Sequence, residues 1–223
     1  MKNVSSHLPS PLAKPAGEPL PVNVKVDGNL NSFELTGQAG ADNHFNSRWL
    51  LGQKLTLDRA IWAADSKTLP PLPEQSGVEL NMPPMNGAEW LALFQKGAAE
   101  SVGGAASFPQ HITLRTPMLS QGNQQWNNLS IVSQPTANGT LVEAQGREIN
   151  ATLAMRNNAP WLANIKYLYY NPSVPKTHGD STNSSPFPTT ERISFRGWPD
   201  AQIRCAECWV LGVEKVTGRR LVQ

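Results

Sequence analysis

The sequence predicts a mainly β protein, an antiparallel meander with one short amphipathic helix and long loops rich in Pro and Ser. Charged residues make up only 16% of the 223 residues, below the roughly one quarter that is usual for soluble domains. Nineteen Pro and seventeen Gly punctuate the chain, and these residues favour turns over helix interiors. Apolar residues recur at every second position in many short runs, which is the pattern of half-buried strands.

Alternating runs separated by turn signals predict the strands of the first half. Val22, Val24 and Val26 alternate with polar residues, and the turn signal Asp27-Gly28-Asn29 follows them. The loop Leu69–Pro73 interrupts the series. Further strands are predicted at Phe33–Gly37, Phe45–Leu51, Leu55–Arg59 and Val78–Met82.

One amphipathic helix is predicted at Asn86–Glu100. Asn86 is a favourable N-cap residue, and Glu89 follows it at the spacing of a capping box. Four residues then share one helical face: Trp90, Leu93, Phe94 and Gly97. We expect this helix to pack on a sheet face or to plug the end of a groove.

The second half also consists of predicted strands. Asn138-Gly139 is a hairpin signal that joins Leu129–Ser133 to Thr140–Ala144. Trp161–Tyr170 fits a strand, with a short helix as the alternative. The remaining strands are predicted at Ile112–Leu114, Ile149–Met155, Ile193–Gly197 and Ala201–Trp209.

Composition divides residues 1–209 into four stretches. Residues 1–21 form a predicted Pro-rich linker, 22–170 the main β segment, and 171–190 a flexible loop. Residues 191–209 add further strands to the same sheet.

Neither a membrane anchor nor an export signal is visible in the sequence. Apolar runs stop at about five residues, as in Trp90–Phe94, against the ~20 that cross a bilayer. The N-terminus has Lys2 but no apolar stretch after it, so it does not fit a signal peptide.

Nucleic-acid binding and catalysis find little support. Nineteen basic and seventeen acidic residues give a formal charge of +2, without a basic stripe. No nucleophile, phosphate-binding or dinucleotide-binding motif occurs, and we expect neither enzymatic activity nor a cofactor. The four histidines lie too far apart in sequence to predict a metal site: His7, His44, His111 and His178.

Cys205 and Cys208 form the one sequence motif that could carry redox or metal chemistry. In a regular strand their side chains would point to opposite faces, so a disulfide requires a bulge or a turn. Three alternatives stay open: a structural disulfide formed in an oxidising compartment, two unpaired thiols, or redox or metal chemistry.

Four long segments carry a resemblance to a known family: FELTGQAGADNHFNSRWLL, LTLDRAIWAADSKTLPPLPEQSGVELNMPPMNGAEWLALF, TANGTLVEAQGREINATLAMRNNAPWLANIKYLYY and ERISFRGWPDAQIRCAEC. Together they resemble the AsmA-like envelope proteins of enterobacteria, from about Pro21 to about Trp209. The tail 210–223 does not continue the strand repeat of this family, so the resemblance implies a truncation or a shifted reading frame near residue 210. The resemblance implies a central-to-C-terminal part of a longer protein that an N-terminal helix anchors in the inner membrane. It also implies a curved, open sheet that crosses the periplasm and passes phospholipids towards the outer membrane, which affects outer-membrane permeability and lipid homeostasis.

The expected partners are therefore phospholipid acyl chains and the remainder of the full-length protein. Period-2 strands supply a continuous apolar strip when successive hairpins keep their apolar residues on one face. We expect some of the seven Trp to line this groove, with ordinary core packing as the alternative. A structural or carbohydrate-binding β-module with a closed two-sheet core is the rival interpretation. The predicted groove residues are Val24, Val26, Phe33, Leu35, Leu55, Leu57, Leu80, Leu129, Ile131, Ile149, Leu153 and Tyr169.

Overall fold

A computed structural model of the chain describes most of its central part. The described residues are 5, 9, 10, 13, 14, 16, 17, 19–90, 106, 107, 109–122, 124–170 and 201–210. The predicted loop 171–190 and the predicted strand Ile193–Gly197 lie outside these residues, as does the tail from residue 211 onwards.

Thirteen strands of the described residues form one open sheet. The spatial order is β1-β2-β3-β4-β5-β8-β9-β10-β11-β12-β13, with β6 pairing beside β8 and β7 beside β4. The strands are β1 (Val22–Gly28), β2 (Ser32–Ala39), β3 (Asn43–Leu51), β4 (Leu55–Ala64), β5 (Gly77–Asn81), β6 (Met85–Asn86), β7 (Ala106–Ser107), β8 (Ile112–Gln121), β9 (Gln124–Thr136), β10 (Gly139–Gln145), β11 (Ile149–Arg156), β12 (Trp161–Tyr170) and β13 (Ala201–Val210).

The prediction of a mainly β, open sheet is confirmed. Consecutive hairpins pair antiparallel, including the one at Asn138-Gly139, where Val142 lies opposite Ser133. The residues from Trp161 to Tyr170 are a strand, not a helix. The sheet is mixed, however, because β4–β5, β5–β8 and β12–β13 pair parallel. Parallel neighbours need a crossover connection, and long segments do separate these strands in sequence.

A small hydrophobic cluster covers the centre of one face. The buried residues Met82, Met85 and Trp90 pack over Ala64 of β4. Leu80 and three other partly buried apolar residues surround them. We refer to Met82, Met85 and Trp90 as the central plug.

Trp90, the last residue of the plug, lies in the first turn of the predicted helix. This helix, α1, begins at residue 87 and is described as far as residue 90. Asn86 Oδ1 accepts a hydrogen bond from the backbone N–H of Ala88 at 3.1 Å, and Asn86 Nδ2 donates to Glu89 Oε1 at 2.9 Å. The predicted cap is therefore confirmed. Residues 91–100 of the predicted helix lie outside the described part.

The connection between β4 and β5, residues 65–76, packs against the opposite face of the sheet. Asn46 Nδ2 donates to the carbonyl oxygen of Pro70 at 3.4 Å, and Arg59 Nη1 donates to that of Pro73 at 3.2 Å. Ile61 and Ala63 of β4 project from the face that this connection contacts, and both are buried. Sequence periodicity alone did not predict this cover.

Part of the predicted linker also contacts the sheet region. Trp90 Nε1 donates to the carbonyl oxygen of Ser10 at 3.2 Å, and Lys14 is buried. At these residues the Pro-rich stretch is packed against the rest of the chain and is not solvated as a free linker would be.

Candidate functional site

The strand register assigns most side chains to one of two faces. Residues opposite each other on paired strands project to the same side of a sheet, and the sides alternate along each strand. Val24 lies opposite Gly37, Gly37 opposite Phe45, and Phe45 opposite Trp62. Trp62 is in turn in register with Leu80. One row of side chains therefore runs across β1 to β5 on a single side, which we call the apolar face.

The same face continues into the second half of the sheet. Leu80 is in register with Leu114, and Leu114 lies opposite Ile131. Ile131 lies opposite Ala144, which lies opposite Ala151. The apolar face thus extends from β1 to β11 through an unbroken series of register pairs.

Eleven of the twelve predicted groove residues project from the apolar face. They are Val24, Val26, Phe33, Leu35, Leu55, Leu57, Leu80, Leu129, Ile131, Ile149 and Leu153. Tyr169 is the exception. It follows Leu168, which shares the apolar face with Ile149, so Tyr169 projects from the other side.

The two faces differ completely in charge. Among the described strand residues that the register assigns, the apolar face carries no Asp, Glu, Lys or Arg. The other side, which we call the polar face, carries charged residues on most strands: Lys25, Asp27, Glu34, Arg48, Arg59, Glu79, Arg115, Glu143, Arg156, Arg204 and Glu207. An ion pair between Arg115 Nη1 and Glu79 Oε2, 3.0 Å apart, lies on this polar face.

Aromatic rings lie on the apolar face at intervals. Phe33 and Trp49 stack with centroids 6.2 Å apart, and Trp126 stacks with Tyr170 at 6.4 Å. Five of the seven Trp lie on this face or in the plug that covers it: Trp49, Trp62, Trp90, Trp126 and Trp161. Sequence periodicity did not select Trp49, Trp126 or Tyr170. The abundance of Trp was a signal for Trp49 and Trp126, whereas Tyr170 had no such signal.

Much of the apolar face is uncovered. Val24 is 55% and Val26 60% exposed, and we call the face over β1–β3 the first open section. In the second open section, the face over β10–β13, no residue of β10, β11 or β12 is buried. Leu57 and Leu129 are buried. Among the described residues no large side chain is fully buried, so the sheet has no closed core.

A cleft of about 580 Å³ lies beside the central plug. Ala64, Met82 and Leu129 contribute apolar surface to it, and Arg115 and Asn128 contribute polar groups. Its lining also includes Ala63, Asn81 and Ser130, which the register assigns to the polar face.

Cys205 and Cys208 form a disulfide in this structure. Their Cα atoms are 6.2 Å apart. Both side chains are half-buried, and the register places both on the apolar face, with Ile165 and Leu168 as their neighbours on β12.

The polar face holds one perturbed titratable group. The Tyr169 hydroxyl donates a hydrogen bond to Glu207 Oε1 at 2.9 Å, and this bond raises the pKa of Tyr169 above 10.0, with desolvation adding to the shift. No group of three or more His, Cys, Asp or Glu in the described part of the chain has the arrangement of a metal site. Within the same part, no helix has the length and apolar character that a bilayer crossing requires.

Comparison with known proteins adds to this geometry. The intermembrane phospholipid transporter YhdP of Escherichia coli (strain K12) is 95% identical over 212 residues, which cover 95% of this chain and 17% of that protein. The chain therefore spans about a sixth of the length of this curated relative. No solved structure matches the chain. A family model described as YhdP protein matches residues 1–215, including the Pro-rich stretch before Pro21, and this chain therefore belongs to the YhdP family.

Proposed function

We propose that this chain forms part of a phospholipid path, in which acyl chains lie along the apolar face while the polar face meets water. The observation that carries this proposal is the segregation of charge between the two faces at the described strand positions that the register assigns. An ordinary soluble sheet would cover its apolar face with a second layer, whereas Val24 and Val26 are left in the open.

Hydrophobic burial supplies the affinity for an acyl chain. Each CH₂ group that leaves water contributes about 0.8 kcal/mol, so several contacts with exposed apolar side chains are needed to hold one chain. A charged group in the same contact would have to lose its hydration, which costs more than the contact gains. An apolar face without charged residues at the described strand positions that the register assigns avoids this cost.

The size of the face suits a continuous path. Eleven strands follow one another from β1 to β13, and ten spacings of about 4.8 Å make a strip roughly 48 Å long. Both end strands leave one edge without a partner among the described residues. The remainder of the full-length protein would extend the strip from these edges.

The relative's name supports the same proposal. That name describes the relative as an intermembrane phospholipid transporter, and a protein with this name belongs in a cell envelope with two membranes. We infer that this chain lies in the periplasm as one section of an inner-membrane-anchored protein, and that it contributes a binding surface and not a catalytic step.

The central plug has a consequence for the path. Met82, Met85 and Trp90 occupy the face in front of Leu80, between the first and second open sections. We infer that acyl chains contact the open sections more than they contact Leu80.

Two substitutions on neighbouring residues of β1 test the proposal. Val24→Glu places a carboxylate on the apolar face, and Asn23→Glu places the same charge on the polar face of the same exposed strand. We expect Val24→Glu to weaken the binding of a fluorescent phospholipid about tenfold, because it removes apolar contact worth about 1.5 kcal/mol and adds a charge that must be desolvated. Asn23→Glu should bind as the unsubstituted chain does. Equal effects of the two changes, or a larger effect of Asn23→Glu, would contradict the proposal.

A further inference from the structure

The disulfide lies at the point where two neighbouring strands lose their regular alternation. Ile165 and Cys205 are in register, and so are Tyr167 and Glu207, but no register pair contains Lys166 or Ala206. The pairing of β12 with β11 shifts at the same place, between Asn150 and Ala151. Each of β12 and β13 therefore holds one extra residue, and the two bulges lie side by side.

The double bulge reverses the side to which every later residue projects. Before it, Ala163 and Ile165 project from the apolar face; after it, Leu168 and Tyr170 do so. Without the bulge, alternation from Ile165 would bring Tyr167 and Tyr169 to the apolar face and would turn Leu168 away.

The two cysteines bridge the bulge in β13. Three residues of a regular strand span about 10 Å and end on opposite faces, whereas the Cα atoms of Cys205 and Cys208 are 6.2 Å apart and both side chains project from the apolar face. The observed Cα–Cα distance lies within the range that a disulfide accepts, whereas the Cα–Cα distance in a regular strand is too long.

We infer that the Cys205–Cys208 disulfide is a redox-sensitive register lock, which holds the double bulge and so keeps the apolar residues of β12 and β13 in phase with the rest of the apolar face. Its formation joins the two Sγ atoms and releases two protons and two electrons to a protein disulfide, which becomes a dithiol. Among the described residues β13 pairs with β12 alone, in a parallel ladder at the end of the described sheet, so the lock supplies a constraint that no second neighbour provides there. This inference stands on the strand register and does not depend on lipid binding.

Hydrogen–deuterium exchange of the whole chain tests the lock. With the disulfide intact, the amides of residues 165–170 should be protected; after treatment with a phosphine reductant they should exchange at least tenfold faster. The double variant Cys205→Ala, Cys208→Ala should show the fast exchange with or without the reductant. The amides of β2 and β3 serve as the internal control and should not change.

A rescue variant separates register control from simple cross-linking. Deleting both Lys166 and Ala206 removes the extra residue from each strand, so regular alternation alone places the side chains correctly. In the cysteine-free background, this double deletion should restore the slow exchange. Free thiols in the untreated chain, unchanged exchange after reduction, or fast exchange in the rescue variant would each overturn the inference.

Discussion

The indole of Trp90 meets the indole of Trp62 edge-on across the apolar face, with ring centroids 5.9 Å apart and planes inclined at 62°. Trp90 belongs to the segment that leads out of β6, whereas Trp62 projects from the middle of β4. This contact attaches the central plug to the sheet, and the bond from Trp90 Nε1 to the Ser10 carbonyl oxygen attaches the N-terminal segment to the plug.

Removing the Trp90 ring should therefore destabilise the chain. We expect Trp90→Ala to lower the free energy of unfolding by about 3 kcal/mol, because a buried indole loses its packing and leaves a cavity. Urea denaturation, monitored by circular dichroism, measures this loss of unfolding free energy. Leu30→Ala is the matched control, since Leu30 is 92% exposed, and it should change the free energy by less than about 0.5 kcal/mol. Similar values for the two variants would show that the plug does not hold the sheet.

Gly37 and Phe45 provide a second test of packing on the apolar face. The Phe45 ring lies directly over Gly37 on the neighbouring strand, in the space that a Cβ atom would take. We expect Gly37→Ala to cost about 2 kcal/mol, because the ring must move. In a Phe45→Ala background the same change should cost little, and a double-mutant cycle by urea denaturation gives the coupling.

Gly52→Ala is the control for this cycle, because the nearest atom to a Cβ at Gly52 is 3.8 Å away. It should leave stability nearly unchanged. A coupling near zero between Gly37 and Phe45 would contradict the face assignment of β2 and β3.

Tyr169 and Glu207 make a prediction about pH. The hydrogen bond to Glu207 favours the neutral Tyr169 hydroxyl and raises its pKa above 10.0. The contact is therefore fully present below pH 10.0 and is lost as the pH rises through the higher pKa of the folded state. Ultraviolet absorbance titration of a Tyr167→Phe, Tyr170→Phe chain, in which Tyr169 is the remaining tyrosine, measures this pKa.

Glu207→Gln in the same background removes the negative charge, and we expect the pKa of Tyr169 to move down towards 10.0. An unchanged pKa would mean that Tyr169 does not contact Glu207. The parallel register of β12 and β13 would then lose one of its supports.

Periodicity in the sequence was sufficient to predict the longer strands of the described residues and most of the positions on the apolar face. Val24, Leu35 and Leu153 are examples, because each lies in a run without interruption and simple alternation gives the correct side. The N-cap at Asn86 and the hairpin at Asn138-Gly139 were also predictable, since each depends on a few adjacent residues.

Irregularities of a single residue were not predictable. Alternation from Trp161, Ala163 and Ile165 leads to Tyr169, but the extra residue Lys166 reverses the phase and sends Tyr169 to the polar face. A similar break occurs at Asn128, which has a φ of 50°. A bulge depends on the pairing with the next strand, and a single strand's sequence does not contain that information.

The parallel pairings and the cover on the polar face were missed for a related reason. The connection 65–76 reads as a turn-rich loop, and its Pro70 and Pro73 carbonyl oxygens accept hydrogen bonds from residues far away in sequence. Such long-range contacts leave no local pattern.

Site-specific photo-crosslinking along two strands measures which face of the sheet meets phospholipid. A photoreactive residue is placed in turn at every position of Ser32–Ala39 and of Ile149–Arg156, in the full-length protein that contains this chain, with radiolabelled phospholipid in the membranes. If acyl chains lie along the apolar face, the yield of lipid adducts alternates with a period of two, high at positions such as Leu35 and Leu153 and low at Glu34 and Thr152. Adducts of equal yield on both faces, or a maximum on the polar face, would contradict this arrangement.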